Sequence, residues 1–420
     1  MISKNTLKQA AILFFTSVFG GLANYFYNIY VGRMLGPSDY SIVVSLFSII
    51  GIISMPISTV QTVVIKYTAD FTARKQFKKL GSFVSVLSEK VLVVSLIVFV
   101  LFAVASTSIA NYLRINSVIP VILLGAVLIP MAFLTVYRGV LQGLQRFFSF
   151  SLNGTIEALL KLFFGVLLVY LLVDKGFGVS GAVFSLTLAG FISIVILRFQ
   201  LKDFRADKNN KSNVSGFKIS DLYGYGGAVF LHLLCFTIVT NVNVILIRHY
   251  FPSEEAGFYA ASEVIGKIVL FLSGVVPVIL LPKSATLHAQ KSDTKKMFIK
   301  SVLLVSALGL VFTVFNFVFS GTVMSLFFGA KFIESAKYLG PLSIAMSFYS
   351  LYLITATYEL SISRFKFLYP TIILTILQVL LILQFHSNIS EIIYIIIGCS
   401  SALFLINLII SLKNKDKNRS

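Results

Sequence analysis

Apolar residues run along this chain in long blocks without alternation, and the blocks repeat at the length of a membrane crossing. Twelve such runs stand out: 10–31, 41–65, 91–110, 118–137, 152–173, 179–197, 224–247, 257–281, 301–320, 338–358, 368–385 and 392–412. A bilayer core of about 30 Å requires roughly 20 apolar residues in helical form, because lipid offers the backbone no other hydrogen-bond partner. Barrel strands would need only about 10 residues with alternating polarity, and these runs are twice as long and apolar on every side. The pattern predicts an all-α polytopic membrane protein with twelve transmembrane helices.

The polar punctuation between runs repeats as well. NIYVGRMLGPSDYS at 28–41 follows the first run, and NVILIRHYFPSEEAGFY at 243–259 follows the seventh. Shifted by 215 positions, Asn28 superposes on Asn243, Arg33 on Arg248, Pro37 on Pro252, Ser38 on Ser253 and Asp39 on Glu254. Each copy occupies the junction between the first two spans of a half, so the chain reads as two six-helix bundles in parallel repeat. Locally each corner starts a helix: proline suits the first turn, and an acidic residue there favours the helix dipole. The expected division is an N-terminal bundle over 1–197, a basic linker over 198–223, a C-terminal bundle over 224–412 and a basic tail over 413–420.

Composition agrees with the pattern: 57% of the 420 residues are hydrophobic and 12% charged, against about 25% charged in soluble domains. The net charge of +19 suggests nucleic acid until the charges are placed. With the N-terminus in the cytoplasm, 25 of the 35 basic residues fall on cytoplasmic segments, Arg138 and Arg146 among them, and 6 fall on the opposite loops. That is the positive-inside bias, so both termini are expected in the cytoplasm and no nucleic-acid partner is implied. The linker RFQLKDFRADKNNKSNVSGFK suits anionic lipid headgroups, a second expected partner. The first span is read as a retained helix rather than a cleaved signal. The two cysteines, Cys235 and Cys399, both lie within spans and read as apolar filler.

Three stretches, GRMLGPSDYS, YRGVLQGLQRF at 137–147 and FPSEEAGFY, make the chain resemble the oligosaccharide-lipid flippases and polysaccharide-biosynthesis membrane proteins of the multidrug/oligosaccharidyl-lipid/polysaccharide exporter superfamily. Those proteins typically carry glycine where this sequence has Ser41, a departure that Gly257 does not share. The resemblance implies two bundles around a central cavity with alternating access. It further implies a cargo of sugar on a polyprenyl-pyrophosphate carrier, moved from the inner to the outer leaflet of the plasma (inner) membrane. Glycan polymerase or glycosyltransferase partners and a monomeric state are expected with it. No cofactor is expected, and coupling to H+ or Na+ is left open.

Ionised residues inside spans cost about 2.5–3.5 kcal/mol even on lenient scales, and so point to function. Glu157 and Lys161 stand one turn apart on the fifth span, and Glu263 and Lys267 one turn apart on the eighth, each in the favourable order with glutamate first. Lys267 is ten residues into its span, about 15 Å deep, and Lys161 reaches a similar level. Each pair either neutralises itself and links helices or lines a path for an anionic cargo, with Lys161 and Lys267 as the leading candidates. Arg33 and Arg248, near the outer interface, either meet cargo or contact headgroups. Asn24, Asn28, Asn241 and Asn243 suit sugar hydroxyls or interhelical bonds, the latter favoured. Pro56, Pro120, Pro130 and Pro277 are expected to kink spans, and Glu359 to lie at the interface.

Two other readings compete. An enzyme of lipid-linked sugars would need a loop or domain with paired acids or a metal cluster, and the outward loops here are short and poor in Asp, Glu and His, so no enzyme is expected. A cation-coupled drug antiporter of the same superfamily commonly carries a carboxylate in its first helix, whereas residues 10–31 contain none.

Overall fold

The computed structural model of the chain describes residues 4–202, 225–277, 280, 284 and 294–413. Among them every regular element is helical. The helices are α1 (Lys4–Ala73), α2 (Phe77–Tyr112), α3 (Ile119–Gly143), α4 (Phe147–Leu172), α5 (Gly178–Gln200), α6 (Tyr225–Tyr250), α7 (Ser253–Gly266), α8 (Ile268–Ser273), α9 (Lys295–Val318), α10 (Ser320–Phe328), α11 (Ala336–Ser361), α12 (Leu368–Gln384) and α13 (Ile389–Lys413). A 3₁₀ turn, Ala330–Ser335, joins α10 to α11. Ten stretches among the described residues are long and apolar enough to cross a membrane. The first, Val18–Ala73, bends into two arms, and the 17 residues of α12 form a shorter apolar helix, which brings the passages to the expected twelve. The expected linker beyond Lys202 and the expected tail beyond Lys413 lie outside the described residues.

The bend in α1 falls at Gly36, with φ 77° and ψ 172°, a region essentially reserved for glycine. Pro37 follows at once and supplies the fixed φ that restarts a helix. The second corner is built differently: α6 ends at Tyr250, Pro252 is extended, and α7 begins at Ser253 with Glu254 and Glu255 in its first turn. Pro120 does not kink a span, because α3 begins at Ile119 and the proline occupies its first turn. Pro130 lies inside α3, packed against Gly190 of α5.

The chain divides into two compact units, Met1–Leu35 with Ile49–Leu222, and Gly36–Ser48 with Tyr223–Ser420. The first unit packs the second arm of α1 on α3 through a small-residue face. A Cβ on Gly139 would lie 2.8 Å from Val64, and one on Gly143 2.5 Å from Thr68 and 2.8 Å from the Ile65 carbonyl. This G-x-x-x-G spacing lets two backbones approach where no hydrophobic effect drives them together. Around it Leu80, Phe83, Leu134, Tyr137, Leu141, Ile194 and Leu197 close a buried core.

The second unit is held by aromatic and amide contacts. Tyr40 packs against Phe328 and Phe332, and Gly257 abuts Pro37 so closely that a Cβ would fall 2.0 Å from the Pro37 carbonyl oxygen. Deeper in, Gln378 donates to Asn243 Oδ1 (3.0 Å) and to the Val239 carbonyl (3.0 Å), while its Oε1 accepts from Tyr349 (2.7 Å). These bonds tie α6, α11 and α12 together in surroundings where an unpaired amide is costly.

Candidate functional site

Four residues of α4 at successive four-residue intervals, Asn153, Glu157, Lys161 and Gly165, form a column along one face of the helix. The middle of that column opens on a cavity of about 380 Å³ within the first unit. Asn24 of α1's first arm, Gln61 and Ser58 of its second arm, Thr135 and Arg138 of α3, and Glu157 and Lys161 supply its polar lining. Ile50, Ile57, Leu134 and Leu186 supply apolar wall.

Arg138 donates from Nη2 to Glu157 Oε2 in a short ion pair and from Nε to Asn153 Oδ1 at 3.0 Å. Asn153 is fully buried and donates onward to the Ser193 carbonyl of α5 at 3.1 Å, which fixes the amide for the guanidinium. Lys161 takes a different partner: its Nζ donates to Asn24 Oδ1 at 3.0 Å and stands 4.3 Å from the centre of the Tyr27 ring. Tyr27 is fully buried and donates to the Ala182 carbonyl at 2.8 Å. Its ring lies where a side chain at position 165 would be, since a Cβ on Gly165 would come within 2.3 Å of it. The glycine makes room for the ring, and the ring and Asn24 hold the ammonium.

Glu157 and Lys161 are therefore not the closed pair that their spacing suggests. The carboxylate bonds to Arg138, a cation from another helix, and reaches Lys161 only through the field of its charge. Arg138, expected in a cytoplasmic loop, lies inside α3 with its side chain 20% exposed. Its G-x-x-x-G neighbourhood, RGVLQG, was the available signal for a helix continuing past residue 137. Gln61 donates to Gln142 at 2.9 Å on the same wall and also escaped the reading of charges alone. Two cations face one carboxylate in the cavity, an excess of one positive charge in surroundings of low dielectric.

The other candidates are elsewhere. Glu263 and Lys267 do pair, at 3.2 Å, in the second unit, with Glu263 wholly buried and Lys267 a quarter exposed. The pair sits where the helix breaks, between α7 and α8. Asn243 is buried, and its Oδ1 accepts from Gln378 of α12. Asn28 donates to the Asn24 carbonyl of its own helix at 2.8 Å, and Asn241 to the Thr237 carbonyl at 2.9 Å. Arg33 is exposed, whereas Arg248 is 2% exposed within the second unit, where its charge acts on Asp39. Arg248 is thus closed in by the second unit's own helices. Glu359 is also buried, within reach of Ser411 and of the charge on Arg364. Among the described residues no group of three or more His, Cys, Asp or Glu side chains could hold a metal.

Two bundles of apolar helices with ionised side chains held inside define a multi-pass membrane protein of transporter architecture. Solved structures with the same fold include a multidrug resistance MATE family transporter of the MOP superfamily in an inward-facing conformation. It is 16% identical, with a TM-score of 0.79, over 94% of this chain and 93% of that one. An outward-facing conformation of such a transporter gives 15% identity and a TM-score of 0.67 over 96% and 94%. A MOP superfamily transporter from Pyrococcus furiosus, described as having a binding pocket of reverse polarity that suggests a different function, gives 13% and 0.60 over 97% of both chains. No curated protein matches the sequence. The chain belongs to the polysaccharide biosynthesis protein family, whose model matches residues 30–337.

Proposed function

We propose that the protein is a flippase for a lipid-linked oligosaccharide or polysaccharide repeat unit, of the polyprenyl-pyrophosphate type. It carries this cargo from the inner to the outer leaflet of the plasma (inner) membrane by alternating access. The observation that carries the reading is the excess positive charge of the first unit's cavity, set by Arg138 and Lys161 against Glu157. A phosphate-bearing cargo supplies the missing negative charge, with bidentate acceptors for the guanidinium and a compact partner for the ammonium. Thr135, Ser58 and Gln61 offer hydroxyl and amide partners to sugar. Membership of a polysaccharide biosynthesis family supports the same cargo class.

A cation-coupled drug antiporter is the second reading, favoured by the fold shared with multidrug transporters. The sign of the cavity favours the first, since a cationic drug would meet two resident cations. The test is movement of a fluorescent lipid-linked glycan across vesicles containing purified protein. Wild type should expose the label to an external quencher, and Arg138→Gln with Lys161→Gln should abolish this. Absence of glycan movement, with uptake of a cationic dye instead, would overturn the proposal. The vesicles also allow imposed H+ or Na+ gradients to identify any coupling ion.

A further inference from the structure

The geometry points to Glu157 as a resident counter-anion that occupies the cargo's place on Arg138 and so sets which anions the cavity accepts. The inference rests on the cavity being an anion site.

Arg138 and Glu157 both face the cavity, with side chains 20% and 29% exposed, so the bond between them is open to a competitor. The Asn153 bond on the other edge of the guanidinium is different, because Asn153 is buried and anchored to Ser193. An arriving anion can therefore take the Nη2 edge while the Nε edge keeps the guanidinium in position. The displaced carboxylate has a second cation waiting one turn along its own helix, Lys161, whose field it already feels. The cavity thus has two ionic arrangements. In one, seen in the structure, Arg138 holds Glu157 and Lys161 holds Asn24. In the loaded one Arg138 holds the anion, and Glu157 swings towards Lys161.

Selectivity follows from the exchange. A carboxylate in solution offers Arg138 the same group that Glu157 already presents, and Glu157 is tethered at high effective concentration. A simple carboxylate therefore loses. A phosphate or pyrophosphate carries more charge and more acceptor oxygens, and it can engage Arg138 and Lys161 together. Glu157 excludes uronate-like and fatty carboxylates and admits polyvalent phosphates.

The test is binding of inorganic pyrophosphate and of glucuronate to the purified full-length protein, followed by calorimetry, for wild type, Glu157→Gln and Glu157→Asp. Wild type should bind pyrophosphate and not glucuronate. Glu157→Gln should bind pyrophosphate about tenfold tighter or more and acquire glucuronate binding. Glu157→Asp, one methylene shorter, should fall between them and carries the test alone if the glutamine variant does not accumulate. Pyrophosphate affinity within twofold of wild type in the variants, with glucuronate still excluded, overturns the role of Glu157. Pyrophosphate binding that is absent from wild type and Glu157→Gln alike, or unmoved by Arg138→Gln, overturns the anion site itself.

Discussion

Removing Lys267 should destabilise the protein far more than neutralising its partner. Glu263 is wholly buried, and Lys267 supplies its ion pair at 3.2 Å. Replacing Lys267 by Ala leaves a carboxylate in the interior uncompensated, a loss of about 3–5 kcal/mol. Glu263→Gln leaves Lys267, a quarter exposed, free to extend to polar surroundings, at a cost of about 1 kcal/mol or less. The double variant Lys267→Ala with Glu263→Gln should recover most of the loss. The chain has no tryptophan, but its two buried free thiols, Cys235 and Cys399, report unfolding to a thiol-reactive fluorogenic dye. At about 1 °C per kcal/mol for a chain of 420 residues, Lys267→Ala should lower Tm by roughly 3–5 °C at pH 7. Equal losses for the two single variants, or no recovery in the double variant, would refute the reasoning.

Three further substitutions probe the packing by the same thermal assay. Gly36→Ala should cost about 1–3 kcal/mol through backbone conformation alone, since a Cβ there meets open space. Gly257→Ala should cost about 1–3 kcal/mol or more for the opposite reason, an ordinary backbone meeting the Pro37 carbonyl, and a loss under 0.5 kcal/mol would contradict that contact. Gln378→Leu should cost about 1–3 kcal/mol by leaving Asn243 Oδ1 and the Tyr349 hydroxyl short of partners, and a neutral result in melting would show that the network is dispensable.

The spans were legible because lipid imposes one rule on every crossing helix, so residues 152–173 and 392–412 could be placed from apolar length alone. The corner at Gly36 was legible as the junction of two helices, though not as a bend made at one glycine. Side-chain partners were less so. Spacing correctly paired Glu263 with Lys267, one turn apart across the junction of α7 and α8. The same spacing failed for Glu157, because the better donor, Arg138, comes from the neighbouring helix and is held there by Asn153. Arg138 itself was hidden by its sequence position, twenty residues into an apolar run, where charge ordinarily marks the end of a span. Arg248 and Glu359 show the same limit: burial depends on which helices close over a residue, and one helix's sequence does not record its neighbours.

The strap formed by Gly36–Ser48 has a consequence for how the protein is made. Pro37 and Tyr40 belong to the second unit, where their neighbours are Gly257, Phe328 and Phe332. Those neighbours are synthesised roughly 220 to 290 residues later, which at about 5–20 residues per second is a delay of tens of seconds. For that interval Tyr40 sits on an inserted helix without its aromatic neighbours, and the end of α1's second arm nearest Gly36 is unsupported. The first unit can therefore complete its packing early, while this stretch awaits the rest of the second. Closure of the strap is a late step in biogenesis, and a chain arrested before Phe332 should leave residues near Tyr40 open to proteolysis or labelling.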